Sequence, residues 1–210
     1  MRSLNKHKFF LISTGSIFLI NAFIYFFIKL FVTEYNLIGS TLDNYIPFIP
    51  SFIYFYMIWY PFEIFSLYFI YKKDKETYIK TLIALILALL IMHLIFIIYP
   101  TMVDRPEVNS FNSLTTLILY IAFKSDTPVN CFPSGHCIIC FILIFSFLKS
   151  KNITIKNKTI FTTINILIIL STLFVKQHVI YDVIGSLVLS NASFYLVFKT
   201  SLLKKIKLFN

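Results

Sequence analysis

Long apolar runs alternate with short polar stretches along the whole chain. A helix that spans a bilayer needs about 20 predominantly apolar residues. Six runs reach or approach that length: 9–33, 51–71, 82–99, 135–148, 159–176 and 179–198. The fourth run is short, and only a few polar residues separate the fifth from the sixth. The pattern predicts an all-α protein, a bundle of six transmembrane helices that forms a single integral membrane domain over residues 1–210.

Composition excludes other classes of protein. Hydrophobic residues make up 58% of the 210 residues and aromatic residues 19%, whereas charged residues make up 13% against about 25% in soluble domains. Disordered chains are polar and poor in aromatic residues, so disorder is excluded as well. The net charge is +10, but the basic residues occur in short clusters between apolar runs, so no nucleic acid partner is expected.

The basic clusters predict an orientation in the membrane. Fifteen of the nineteen basic residues lie in alternate polar stretches: 2–8, 72–81, 149–158 and 199–207. Lys and Arg accumulate on the cytoplasmic side of membrane proteins. Both termini are therefore predicted to be cytoplasmic, and the connections 34–50, 100–134 and 176–178 to face outside, in a multi-pass protein of the cell membrane.

Two segments at predicted outer helix ends carry candidate chemistry. Pro133-Ser134-Gly135-His136 precedes the fourth apolar run, and a helix N-terminus with free N–H groups suits a phosphate. His136 is then placed to give a proton to a leaving oxygen. In the second segment, His178 and Asp182 have the i, i+4 spacing of one helix face. A carboxylate there can fix the imidazole tautomer and leave Nε2 as a nucleophile.

Further residues extend this candidate site. Lys176 adds a positive charge beside His178, and Arg105 in the long outer connection can bind phosphate oxygens in a bidentate manner. The same histidines with Asp182 could alternatively ligate a metal. Each histidine taken alone is more simply a structural residue; their joint occurrence at one membrane face favours a site. The outer connection also carries apolar residues at helical spacing, which predicts a short interfacial helix over 113–123.

The joint pattern resembles the type 2 phosphatidic acid phosphatase superfamily. Pro133, Ser134, Gly135 and His136 match the second family motif, and Ser171, His178 and Asp182 match the third. Arg105-Pro106 match the end of the first motif. Two cations of the family are missing, because Ile98 occupies the position of the first-motif Lys and Thr172 that of the third-motif Arg. The motif-bearing part runs over about 94–190.

One branch of the superfamily shares these departures. Relatives resembling inositol phosphorylceramide synthase carry a Ser-Thr-Leu-Phe-x-Lys-Gln-His string, which matches 171–178, and an Asp-x-Pro-x-Asn-x-Phe-Pro-Ser-x-His string, which matches 126–136. With this branch the resemblance extends over about 40–186. It adds Asn130, Ser171 and Gln177 as possible substrate-binding residues and assigns to Lys176 the charge of the missing Arg.

The resemblance implies a metal-independent reaction without a cofactor. His178 would attack the phosphorus, Asp182 would assist, and His136 would protonate the departing alkoxide. The phosphoryl oxygens would be held by four groups: Arg105, Lys176, Ser134 and Gly135. The attack would produce a phosphohistidine intermediate. If water hydrolyses this intermediate, the enzyme is a lipid phosphate phosphatase; if a lipid alcohol captures the phosphoryl group, it is a phosphotransferase. A non-catalytic lipid-binding or transport protein is the alternative outside enzymes.

Overall fold

The structure is a computed structural model that describes residues 2–108 and 111–199, with side chains from residue 7 onward. Helix accounts for 76% of the described residues. The elements in order are α1 (Arg2–Phe31), β1 (Asn36–Leu37), α2 (Ile53–Lys73), α3 (Lys75–Ile98), β2 (Thr101–Met102), α4 (Leu114–Ser125), α5 (Gly135–Lys149), α6 (Ile155–Phe174) and α7 (Ile180–Lys199), with 3₁₀ turns at Thr41–Tyr45 and Pro50–Phe52. The prediction of a helical membrane bundle is thus confirmed. The basic residues Lys204, Lys205 and Lys207 lie outside the described residues.

Five of the described helices are long and apolar enough to cross a membrane: α1, α2, α3, α6 and α7. The fourth predicted span, α5, has 15 residues, which give it a length of about 22 Å. That is less than the roughly 30 Å hydrocarbon core of a bilayer. The six predicted spans therefore correspond to five full-length helices and one shorter apolar helix.

The connection between α2 and α3 is tighter than the sequence pattern predicted. Residues 72–81 were expected to form a polar loop, yet α2 ends at Lys73 and α3 begins at Lys75. The Asp74 carboxylate caps α3 by accepting a hydrogen bond from the Thr77 amide at 3.0 Å. A local cap of this kind lets the charged first turn be helical although it is too polar for an apolar pattern to include it.

The short helix α5 lies at the centre of the bundle. It packs against α2, α3, α6 and α7, and Ile138, Leu143 and Phe147 on it have no exposed surface. The rings of Phe147 and Phe161 stack at 4.3 Å, which ties α5 to α6. Because protein surrounds α5 on several sides, the polar residues at its ends are shielded by neighbouring helices and loops.

Two-residue strands organise the connections at the end of the bundle where α5 begins. Strand β1 pairs in parallel with β2, and Met102 forms an antiparallel bridge with Val129. The Thr101 hydroxyl then accepts hydrogen bonds from the amides of Cys131 (3.2 Å) and Phe132 (2.9 Å). These contacts fix the chain just before Pro133-Ser134, from which α5 starts.

The predicted short helix in the 100–134 connection is present as α4. Ser113 caps it by accepting a hydrogen bond from the Thr116 amide. Its buried residues Leu119 and Ala122 form a small second core with Ile53 and Tyr56 at the start of α2. This contact places the residues that follow α4 over the beginning of α2, next to α5.

Candidate active site

His178 lies in the turn between α6 and α7, two residues before α7 begins at Ile180. Its Nδ1 is 2.9 Å from Oδ2 of Asp182, and the same oxygen accepts a hydrogen bond from the Val179 amide at 3.1 Å. Asp182 has no exposed surface, and His178 is 8% exposed. A carboxylate bonded to Nδ1 fixes the imidazole tautomer, so Nε2 is the nitrogen left for chemistry.

His136 lies in the first turn of α5, which Ser134 caps. The Ser134 hydroxyl accepts a hydrogen bond from the Cys137 amide at 3.3 Å, in agreement with the helix start that the sequence predicts. The His136 ring lies 4.9 Å from the Tyr56 ring and 4.2 Å from the Trp59 ring. Its centroid is 5.7 Å from that of His178. Two histidines that are 42 positions apart in sequence therefore face one another.

Direct contacts hold the starts of α5 and α7 together. The Ser186 hydroxyl lies 2.9 Å from the Ser134 carbonyl and 2.6 Å from the Asp182 carbonyl. Gly185 faces the Phe132 ring so closely that a Cβ added there would lie 2.5 Å from a ring carbon. These contacts allow α7 to approach the Pro133-Ser134 turn, which places His178 beside His136.

The two histidines line one cavity of about 410 Å³. Its polar end also includes Arg105, Asp126, Asn130 and Gly135, and its apolar end is formed by residues of α1, α2 and α3. A cavity with a few convergent polar groups and an apolar extension is typical of small-molecule sites. Its shape would suit a ligand with a polar head and an apolar chain.

Arg105 is anchored by backbone carbonyls at the polar end of the cavity. Its guanidinium donates hydrogen bonds to the carbonyls of Asp126, Thr127 (3.4 Å) and Gln177 (3.5 Å), and it lies 5.3 Å from the Phe123 ring centroid. The buried Nε has no hydrogen-bond partner among the described residues. The side chain is thus held in place with its Nε–H donor still available.

Lys176 lies outside the cavity. Its ammonium donates hydrogen bonds to the carbonyls of Asp43 (2.9 Å) and Ile46 (2.6 Å), and Lys176 is not among the cavity-lining residues. Its backbone has a φ of 57°, in the left-handed region that non-glycine residues seldom adopt. In the described conformation Lys176 therefore holds the 41–46 segment against the turn that carries His178.

The three possible substrate-binding residues are distributed differently. Asn130 lines the cavity, and neither polar atom of its amide has a partner among the described residues. Gln177 is fully buried beside His178, and its side-chain amide is likewise unpartnered. The Ser171 hydroxyl donates to the Ile168 carbonyl at 2.6 Å within α6, so it is engaged with the helix backbone.

Neither residue that replaces a family cation faces the cavity. Ile98 is the last residue of α3 and is 80% exposed on the outside of the bundle. Thr172 is fully buried, and its hydroxyl donates to the Ile169 carbonyl at 2.7 Å. Lys29 of α1 is an additional cation beside the cavity, since its ammonium donates to the hydroxyl of the cavity-lining Thr127 at 2.7 Å. Sequence reasoning missed Lys29, because it lies inside an apolar run far from either motif.

Asp126 is a second residue that the sequence analysis did not place in the site. It lines the cavity beside His136, and its Oδ2 accepts a hydrogen bond from the Tyr56 hydroxyl at 2.6 Å. Burial raises the pKa of Asp126, but His136, the Tyr56 hydrogen bond and Arg105 outweigh it and leave the pKa below its usual value. Its place in the string over 126–136 was the available signal, although that string does not reveal the contact with Tyr56.

Among the residues that the structure describes, one group could hold a metal ion. Ligand atoms of Cys131, His178 and Asp182 lie within 4.8 Å of one another. This set differs from the His136-containing set considered from the sequence. Burial raises the pKa of the Cys131 thiol, which disfavours the thiolate that binds metals. His178 Nδ1 is already bonded to Asp182, so the described arrangement fits a histidine–carboxylate pair better than a metal centre.

Comparison with known proteins identifies the segment that carries this site. A model of the PAP2 superfamily matches residues 104–205, which contain α4, α5, α6, α7 and both histidine segments. No curated protein and no solved structure matches the chain. The chain belongs, through residues 104–205, to the PAP2 superfamily.

Proposed function

We propose that this protein is a metal-independent membrane phosphatase that hydrolyses a lipid phosphate or pyrophosphate through a phosphohistidine at His178. Membership of the PAP2 superfamily indicates a phosphatase or phosphotransferase acting on lipid phosphates in a membrane. The observation that carries the finer proposal is the hydrogen bond from His178 Nδ1 to Asp182, in a cavity that His136 and Arg105 also line.

The first step of the proposed reaction is attack on phosphorus. Nε2 of His178 forms a bond to phosphorus as the bond to the lipid oxygen breaks, and His136 donates its proton to the departing alkoxide. Asp182 stabilises the positive charge that develops on the His178 ring. Arg105 and the first amides of α5 offset the negative charge on the phosphoryl oxygens.

The second step restores the enzyme. Water attacks the phosphohistidine, and His136, now neutral, accepts the proton from that water. The P–N bond breaks and inorganic phosphate leaves. This cycle needs only His178, His136, Asp182 and the phosphate-holding groups. Ser134 and Gly135 support it by their place at the start of α5. Lys176 would join the phosphate-holding groups only after leaving the carbonyls of Asp43 and Ile46.

The proposed orientation follows from the clusters of basic residues. With both termini cytoplasmic and α5 counted as a membrane segment, so that there are six, the starts of α5 and α7 lie at the outer face of a cell membrane. The cavity then opens toward the outer leaflet, whose lipids present their head groups at that level. A lipid phosphate is therefore the proposed partner of the site.

Phosphate release in the presence of a chelator tests the proposal. The substrates are phosphatidic acid, phosphatidylglycerophosphate and prenyl pyrophosphates in detergent, and the variants are His178→Ala and His7→Ala. His7 is an exposed histidine near the start of α1, so its replacement is the matched control. We expect wild type and His7→Ala to release phosphate from at least one substrate without metal, and His178→Ala to lose at least 10³-fold in rate.

Three outcomes would contradict the proposal. Equal activity of His178→Ala would refute the nucleophile, and activity that a chelator abolishes and one divalent ion restores would refute the metal-independent mechanism. Binding of lipid phosphates without turnover of any of them would indicate the non-catalytic lipid-binding alternative.

A phosphotransferase is the second candidate function, as in the branch that resembles inositol phosphorylceramide synthase. The observation that favours it is a second apolar groove adjoining the catalytic cavity, since Asn21 lines both. A transferase needs room for a lipid acceptor as well as a lipid donor. Formation of a new phospholipid in place of free phosphate would distinguish this reaction from hydrolysis.

A further inference from the structure

Trp59 of α2 lines the catalytic cavity and has no part in the reaction described above. Its ring centroid lies 4.2 Å from that of His136, and the two ring planes are inclined at 50°. Trp59 is 8% exposed, so the indole and the imidazole meet away from bulk water. The chain contains a single tryptophan, and that residue contacts the proposed general acid directly.

Two contacts fix α2 against α5 at this point. Trp59 faces His136, and four positions later on each helix Oε1 of Glu63 lies 3.8 Å from Sγ of Cys140. Because both contacts advance by about one helical turn, the two helices run in the same direction and are in register. Glu63 and Cys140 have no exposed surface. The packing of two helices therefore sets the position of the indole relative to the imidazole.

A second aromatic ring also contacts His136. The Tyr56 ring lies 4.9 Å from the His136 ring, and the Tyr56 hydroxyl donates to Asp126 at 2.6 Å. Nε2 of His136 is buried and has no hydrogen-bond partner among the described residues. Neither ion pair in the described part of the chain includes His136. The groups in direct contact with this ring are thus aromatic faces rather than a carboxylate.

The charges that face His136 come from several elements and oppose one another. Arg105 and His178, which gains positive charge as it attacks phosphorus, disfavour a proton on His136, whereas Asp126 at the end of α4 favours it. Asp182 acts on this set through its bond to His178. Helix α3 contributes only apolar side chains to the cavity and α6 contributes none. The titratable or charged groups that line the cavity with His136 are Tyr25, Tyr60, Arg105, Asp126, Cys131 and His178.

An aromatic face stabilises a proton on a neighbouring imidazole. The face of the π system is negative, so it attracts a cation within about 6 Å of the ring centroid, most strongly when the ring is Trp and water is excluded. A neutral imidazole gains much less from this contact. The ring therefore favours the protonated form of His136 without placing a full negative charge beside the phosphate, which a second carboxylate would repel.

We propose that Trp59 is a positioning residue for His136, whose protonated ring it stabilises until the proton is given to the leaving oxygen. This inference rests on the proposed role of His136 as the acid. The P–O bond breaks with its electron pair on the lipid oxygen, which takes the proton from His136. The neutral ring then receives a proton from the attacking water in the second step. Trp59 itself undergoes no covalent change, so its effect is on the fraction of enzyme that carries the proton.

Tryptophan fluorescence tests the contact without relying on catalysis. Because Trp59 is the single tryptophan, emission from the purified full-length protein reports on this site, and a protonated imidazole in contact with an indole quenches its emission. We expect emission to fall as the pH is lowered from about 9 to about 4. His136→Gln is the control and should lack this transition. A transition that remains unchanged in His136→Gln would overturn the proposal.

Fluorinated tryptophan tests the electrostatic nature of the contact. Biosynthetic incorporation replaces one side chain only, and fluorine withdraws electrons from the ring face while nearly preserving its shape. We expect the midpoint of the fluorescence transition to move to lower pH by about 0.3 unit with 5-fluorotryptophan and by about twice that with a difluorotryptophan. A midpoint that does not respond to fluorine would overturn the proposal.

The pH dependence of phosphate release tests the role of Trp59 in the reaction. Trp59→Leu removes the ring and Trp59→Phe keeps part of it. Phe96→Leu is the matched control, because Phe96 is a buried ring that lines the same cavity and its described ring contacts are with Tyr25 and His93. Deprotonation of His136 removes the acid, so a less stable proton is lost at lower pH. We expect the upper limb of the kcat/KM profile to move to lower pH by about one unit in Trp59→Leu, by less in Trp59→Phe and not at all in Phe96→Leu.

The possible outcomes separate this inference from the proposed function. One lipid phosphate is used throughout, so its own ionisation is common to all variants. An upper limb that moves equally in Trp59→Leu and Phe96→Leu, or that fluorination leaves in place, would overturn the role of Trp59. If Trp59→Leu does not fold, the fluorinated proteins decide the question. Phosphate release that persists in His178→Ala would instead refute the proposed function.

Discussion

The two helix starts that carry the histidines are built in different ways. At α5 the cap is local, because Ser134 accepts a hydrogen bond from an amide three residues later. At α7 the cap comes from a distant part of the chain, because Oδ1 of Asp43 accepts a hydrogen bond from the Ile180 amide at 2.8 Å, 137 positions away. The Asp43 carbonyl also accepts from Lys176, so one short segment holds both sides of His178.

This difference has a chemical consequence. The local cap of α5 occupies only one amide, which leaves the other amides of the first turn for a phosphate. At α7 the first amides are occupied by Asp43 and Asp182, so that helix start is suited to holding His178 rather than an anion. In the proposed reaction, the start of α5 therefore binds the phosphate and the start of α7 positions the nucleophile.

Replacing Asp182 by Asn should have the largest effect among the changes at these helix starts. The variant keeps an oxygen for the Val179 amide but loses the charge that fixes and stabilises the His178 ring. We expect kcat to fall by about 10³- to 10⁴-fold with little change in KM, as for removal of the carboxylate in a histidine–carboxylate pair. Steady-state phosphate release would measure it. A fall of less than tenfold would show that the α7 start does not depend on this charge.

Gly185→Ala probes the contact that joins the two helix starts. The new Cβ would lie 2.5 Å from the Phe132 ring, so the ring or α7 must move. Overpacking of this kind costs about 1–3 kcal/mol, and we expect activity to fall about tenfold or more. Gly39→Ala is the matched control, because a Cβ there meets nothing within 4 Å. Thermal unfolding in detergent and phosphate release would be measured for both variants, and equal behaviour would contradict close packing at Gly185.

Asp43→Ala removes the distant cap of α7. Loss of a helix cap costs about 1 kcal/mol, and the turn that carries His178 would lose its support, so we expect about a fivefold lower kcat. Asp74→Ala is the matched comparison, because Asp74 caps α3 and bonds to Ser150 without lining the catalytic cavity. It should lower the unfolding temperature with little change in kcat. The same loss of kcat in both variants would mean that the distant cap has no specific role at the site.

Of these four changes, Asp126→Asn should have the smallest effect, a loss of stability that depends on pH. The pKa of Asp126 is lower in the folded protein than the roughly 3.9 of an unfolded aspartate. The stabilisation from its ionised form is therefore complete above about pH 5 and is lost as the pH falls through the folded value. We expect the variant to unfold a few degrees below wild type at pH 7 and the difference to shrink toward pH 3. A difference that grows in acid would contradict a lowered pKa.

Much of the helical architecture could be predicted from the sequence, because apolar runs and local caps act over a few residues. The start of α5 at Gly135 and the short helix α4 follow from Ser134, Ser113 and the spacing of nearby apolar residues. The start of α3 could not be read from hydropathy, since its first two turns contain Lys75, Glu76 and Lys80. The length of α5 was apparent, but its place at the centre of the bundle was not.

The same distinction between local and long-range interactions applies to the candidate site. By itself, the sequence determined the chemistry available, because the types and spacing of His136, His178 and Asp182 limit what those groups can do. Only the tertiary structure decided which groups meet: it brings Arg105, Asp126 and Asn130 into the cavity and engages the Lys176 ammonium on the carbonyls of Asp43 and Ile46. The physical reason is that these contacts join residues many positions apart, so they depend on how helices and loops pack and leave no periodic signal in the sequence.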